Sequence, residues 1–205
     1  MPPGEDLDVP LPDRSASSPK AGADASTRDG AKLDGSNDAL TDQESAVDAF
    51  RQLHAFVSSQ IYTGALGGIA GADQKCNTLA AAQGLKGTYR AWISVNGTNA
   101  VDRITSAGPW QLVTGQLVAA TKAELTSGQL RRSLNIDEKG QAAPIAEDRV
   151  WTGTAPNGTF SGPECTLWTG AGSGRVGEAE FSDGRWSNAL IEGCDQLNRV
   201  YCFEL

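Results

Sequence analysis

The run Gly184-Arg-Trp-Ser-Asn-Ala-Leu-Ile-Glu-Gly-Cys194, followed closely by Arg199-Val-Tyr-Cys-Phe-Glu204, decides how the rest of the chain is read. It carries two of the four cysteines, and its second part is one of the two clearest strands, rich in β-branched and aromatic residues. With Cys76 and Cys165 upstream the cysteine count is even, no Cys-x-x-Cys pair occurs, and His54 is the single histidine. That combination argues for disulfides rather than zinc or a dithiol redox site. Disulfides persist outside the reducing cytosol, so the cysteines point to an exported protein. Four cysteines allow three pairings, and the sequence alone does not choose among them.

Working back from this run, the chain after Leu134-Asn-Ile136 reads as short strands and Gly/Pro/Asn loops, with Arg149-Val-Trp-Thr-Gly153 the other clear strand. Thr121-Lys-Ala-Glu124 is a capping box, and Gly128 ends its helix after little more than a turn. Thr88–Val95 is β-rich and reads as a strand. Before it, Ala72, Cys76, Leu79, Ala80 and Gln83 fall on one face of a helix, and Gly84 stands where a C′ glycine would end it. The glycine-rich stretch 64–71 lacks the Gly-Lys-Ser/Thr ending of a phosphate loop and reads as a sharp turn into that helix. Residues 55–62 read as a first strand or its approach. Two early helices followed by short strands and long loops make an α+β domain over 46–205.

Charge separates this domain from what precedes it. Residues 1–50 hold eleven acids and four bases, a net of −7 within the chain's −8. The first 49 residues contain no aromatic residue and five of the nine prolines. Such a stretch buries too little apolar surface to offset the entropy of ordering it, so 1–45 reads as a disordered acidic tether. The near-neutral remainder has no basic stripe, which argues against nucleic-acid binding. No apolar run is long enough to span a bilayer, and Met1-Pro-Pro-Gly is not a signal peptide. An exported form would have lost its signal upstream of residue 1, as a processed lipoprotein does.

The order of pieces resembles a known family. Gly84-Leu-Lys-Gly-Thr-Tyr-Arg-Ala-Trp-Ile-Ser94, Val150-Trp-Thr-Gly-Thr-Ala-Pro-Asn-Gly158, Cys165-Thr-Leu-Trp168, Gly184-Arg185 and Val200-Tyr-Cys-Phe-Glu204 are similar to successive blocks of endostatin, the C-terminal domain of collagen XVIII. Tyr62-x-Gly-x-Leu-Gly-Gly-x-Ala-Gly-Ala-Asp73 followed by Cys76 looks like the bacterial endostatin-like version, a domain of unknown function in exported lipoproteins. The resemblance covers about residues 55–205. It implies an endostatin-like variant of the C-type lectin fold with nested bridges, Cys76 to Cys202 and Cys165 to Cys194. It also implies an extracellular or cell-surface place, most simply as an outer-membrane lipoprotein.

Sugar-binding C-type lectins hold Ca²⁺ through Glu-Pro-Asn and Trp-Asn-Asp motifs. The nearest equivalents are Ala155-Pro-Asn157 and Trp186-Ser-Asn188, which lack two of the carboxylates. Carboxylate count sets Ca²⁺ affinity, so Asn157, Glu164, Ser187 and Asn188 make a poor set. No metal or other cofactor is expected. In this fold the recognition face would draw on 153–164 and 170–190, presenting Asn157, Glu164, Arg175, Asp183, Arg185, Trp186 and Asn188 to a polar ligand.

Other signals weigh less. Gly172-Ser-Gly-Arg-Val-Gly177 matches Gly-x-Gly-x-x-Gly, but a dinucleotide fingerprint needs a βαβ unit, and here the glycines read as part of a loop. His54 has no Gly-x-Ser-x-Gly element or free cysteine to pair with, and Glu138, Glu147 and Asp148 read as scattered loop acids. Trp92 and Trp168 read as core, whereas Trp110 and Trp186 are loop-borne and serve either as plugs or as ligand anchors. Asn96-Gly-Thr98 and Asn157-Gly-Thr159 are glycosylation sequons that matter only in a eukaryotic secretory host. The reading is therefore a non-enzymatic binding module for adhesion to an extracellular glycan or protein without Ca²⁺. Its membrane attachment would come only through an upstream lipid anchor. The alternative is an enzyme acting on envelope or extracellular polymers. A fold alone does not decide between them.

Overall fold

The computed structural model describes residues 52–205. The expected tether over 1–45 lies outside them. Within them the chain forms one mixed eight-stranded sheet with four helices. The strands are β1 (Leu53–Val57), β2 (Tyr89–Ala91), β3 (Trp110–Gln111), β4 (Leu117–Ala119), β5 (Arg149–Trp151), β6 (Ser173–Glu178), β7 (Leu190–Gly193) and β8 (Arg199–Glu204). The helices are α1 (Gly68–Ala82), α2 (Ala100–Arg103), α3 (Lys122–Leu125) and α4 (Cys165–Trp168). Strand order is β4-β3-β1-β8-β5-β6-β7, with β2 paired to β8 off that path.

The C-terminal strand is central. β8 pairs antiparallel with β1 and β2 and parallel with β5, and all six of its residues are buried. Its side chains alternate between two cores, as a strand's two-residue period requires. Tyr201 and Phe203 join Leu53, Ala55, Val57, Val150, Trp92, Trp110 and Trp186 on one face. Val200 and Cys202 join Phe56, Trp151, Trp168 and the buried face of α1 on the other. Both faces of the sheet are therefore covered.

Helix α1 buries Ala72, Cys76, Leu79 and Ala80, the expected stripe, while Gln83 falls on the cap and is exposed. Gly84 adopts a positive φ, and the Gly84 and Leu85 amides donate to Ala81 and Ala80, the paired bonds of a Schellman ending. Gly64, before the helix, and Gly71, in its first turn, permit close approach. A Cβ at Gly64 would strike the Cys165 sulfur, and one at Gly71 would strike the Leu66 carbonyl.

The strand expected over 88–95 ends at Ala91. Arg103 explains the break, because its Nη1 donates to the carbonyls of Ala91 (2.8 Å) and Ile93 (2.9 Å) and its Nη2 pairs with Asp73. Trp92 still donates to Tyr201, but the Ser94 amide has crossed to Thr152. In α3 the Thr121 hydroxyl accepts from Glu124 N as expected. The Glu124 carboxylate instead reaches the Ala120 amide, one residue before the cap.

The cysteines pair Cys76–Cys202 and Cys165–Cys194. The first ties α1 to β8, and the second closes a 29-residue separation. No sequence signal announced α4. Cys165, Thr166, Leu167 and Trp168 all have φ between 50° and 61°, a turn of left-handed helix built from side-chain-bearing residues. Each such residue costs roughly 1–2 kcal/mol. The turn is held by the Cys165–Cys194 bridge and by buried Trp168, whose Nε1 donates to Ser94 O at 3.0 Å.

Candidate functional site

The face expected over 153–190 is largely occupied by its own contacts. Trp186 is fully buried, with Trp92 at 5.1 Å and Tyr201 at 5.5 Å between ring centroids. It is a core plug, which corrects its placement as a ligand anchor. Glycine is the reason it sinks so deep. Gly177 on β6 lies flat against the Trp186 carbonyl, and any Cβ there would collide with it. Gly174 meets the Cys165 sulfur and the Trp151 ring in the same way. The Gly-x-Gly-x-x-Gly run therefore serves packing, and its last five residues lie in β6 rather than in a loop.

Arg175 and Asn188 come together, with Arg175 Nη1 donating to Asn188 Oδ1 at 2.7 Å and Nε donating to Ser161 O at 2.7 Å. Ser187 is buried, accepting from Trp92 Nε1 and donating to Thr154 O, each at 2.9 Å. Two of the four oxygen groups weighed for a cation thus serve a guanidinium and the core. Asp183 and Arg185 pair with each other at the surface, and the Arg185 guanidinium lies over Phe181 at 3.5 Å. Their mutual contact pulls the Asp183 carboxyl below its ordinary range. Asn157 closes its own turn by accepting from the Thr159 amide and hydroxyl, and Glu164 is half-buried before α4. Among the described residues, no three or more His, Cys, Asp or Glu side chains gather as metal ligands.

One hollow was not announced by any sequence pattern. An open groove of about 690 Å³ runs between the segment 60–67 and α1, lined by Gln60, Tyr62, Leu66, Gln74, Lys75 and Thr78 among others. This falls in the range of roughly 300–1,000 Å³ usual for small-ligand pockets. Lys75 Nζ sits 5.0 Å from the Tyr62 ring centroid, and Tyr62 Oη donates to Gln60 Oε1 at 3.1 Å. Burial, with the Glu138 carboxylate second, raises the Tyr62 phenol above its ordinary range. The wall at 64–67 is fixed through its backbone. Gly64 N donates to Cys194 O (2.8 Å), Gly67 N donates to Trp168 O (3.2 Å), and Ala65 bridges Thr169. The left-handed turn and its disulfide therefore set the groove's edge. Spacing did not reveal this because the two segments are about a hundred residues apart.

His54 is better supported than its position implied. Its Nδ1 lies 3.1 Å from Glu204 Oε2, its amide donates to the same oxygen at 2.8 Å, and Glu204 is fully buried. His54 also lines a second hollow of about 440 Å³ with Gln52, Leu85 and Lys86. The acids considered beforehand do not join it. Glu138 accepts from the Ser59 amide, and Glu147 pairs with Arg199 at 3.0 Å.

Tyr201 and Trp186 share a further property. Neither Tyr201 Oη nor Trp186 Nε1, both buried, has a hydrogen-bond partner among the described residues. Burial first, then Asp148 and Glu178, push the Tyr201 phenol well above its ordinary value. The unfolded chain ionises at the ordinary value, so stability is unaffected below that pH and falls as pH rises above it. Tyr201→Phe removes this alkaline loss without breaking a hydrogen bond, and unfolding measured against pH checks it. An unchanged alkaline limb in that variant would contradict the assignment.

Compared with known families and curated proteins, the chain matches no family model and no curated sequence.

Proposed function

We propose that this chain carries a Ca²⁺-independent, non-enzymatic binding module, exported and displayed at a cell surface, that grips an extracellular glycan or protein. In this reading the α+β domain is an endostatin-like variant of the C-type lectin fold, and an upstream lipid anchor attaches it to the membrane. The groove between 60–67 and α1 carries the reading. Its walls present amides, a hydroxyl, a phenol and an ammonium on elements held by two disulfides. Rigid, pre-formed polar walls favour binding because little ordering entropy is lost on association. The disulfides support an oxidising compartment. Arg175 supports the independence from Ca²⁺, since its fixed positive charge already takes up Asn188 Oδ1.

The test is a glycan and matrix-protein array probed with the full chain, with and without EDTA. The expected result is selective binding that EDTA leaves intact. Binding abolished by EDTA, or none on either array, would overturn the proposal.

The His54–Glu204 pair favours the enzymatic alternative. A carboxylate on Nδ1 holds the imidazole so that Nε2 can act as a base. Under that reading His54→Gln abolishes breakdown of an extracellular polymer by the chain. Under ours, neither protein degrades it.

A further inference from the structure

We infer that the groove is the ligand site and that its ligand is a short saccharide, an inference that rests on the binding-module reading. The chemistry of the walls selects this class. Gln60, Gln74 and Thr78 offer donors and acceptors side by side, the requirement of neighbouring hydroxyls on a sugar ring. The half-buried Tyr62 ring offers the apolar surface that the C–H face of a pyranose covers. Lys75 adds an ammonium donor to the same wall, and among the described residues no carboxylate lines the groove to repel or to coordinate. A nonpolar ligand would leave two amides and an ammonium desolvated without partners, which is costly.

Three residues make the test clean. Gln74 and Thr78 are exposed on α1, so alanine there preserves the helix. Ala70 is exposed at the rim, so Ala70→Trp fills the groove from outside. The full chain is screened on an array of neutral and acidic oligosaccharides, and the best binder is titrated against each variant. Gln74→Ala/Thr78→Ala is expected to weaken binding at least tenfold and Ala70→Trp to abolish it. Asn157→Ala and Arg185→Ala, on the face expected from the sequence, are expected to bind like the parent. Parent-like binding by both groove variants, with far-ultraviolet dichroism unchanged, overturns the site while leaving the module reading standing. Failure to bind any oligosaccharide, with a protein bound on the matrix array, overturns the saccharide. Failure on both arrays overturns the module reading itself.

Discussion

Replacing Cys76 and Cys202 together by alanine is expected to lower the unfolding free energy by about 5 kcal/mol. The bridge spans a sequence separation of 126, so opening it returns a large loop entropy to the unfolded chain. It also joins α1 to β8, the strand on which both cores are built. A loss of this size approaches the whole stability of a typical domain, roughly 5–15 kcal/mol. Cys165→Ala/Cys194→Ala is expected to lose less, about 3.5 kcal/mol from its shorter loop. Relaxation of the left-handed turn offsets part of that loss, because four residues leave a costly backbone region. Denaturant unfolding followed by tryptophan fluorescence checks the order. A larger loss from the shorter loop would contradict it.

Trp186→Ala is expected to cost about 3–5 kcal/mol, as a large cavity opens among Trp92, Tyr201 and Phe203. Trp186→Phe should cost distinctly less. The indole Nε1 has no partner to lose among the described residues, and the smaller ring still fills much of the space. Equilibrium unfolding of both variants gives the comparison. An alanine variant as stable as the parent would mean that the indole does not plug the core.

These expectations show what the sequence disclosed and what it hid. Strand β8, helix α1 with its terminating glycine, and the α3 cap were legible because each depends on residues within a few positions of one another. The buried state of Trp186 was not legible. It depends on Gly177 admitting a backbone carbonyl from another segment, and the same glycine reads as a nucleotide motif when seen alone. The early end of β2 depends on Arg103, which takes two carbonyls that a strand would have used. The groove depends on Gly64 and Gly67 bonding to the far side of the Cys165–Cys194 loop. The His54–Glu204 pair spans 150 positions. Local patterns name elements, whereas sites arise where distant elements meet.

Amide hydrogen exchange on the full chain, with and without the best-binding array oligosaccharide and in EDTA, locates the bound ligand without any substitution. Slowed exchange is expected in 60–67 and along 70–79 of α1, with 157–159 and 183–188 unchanged. Protection centred on 183–188, or no protection anywhere at saturating oligosaccharide, would contradict it.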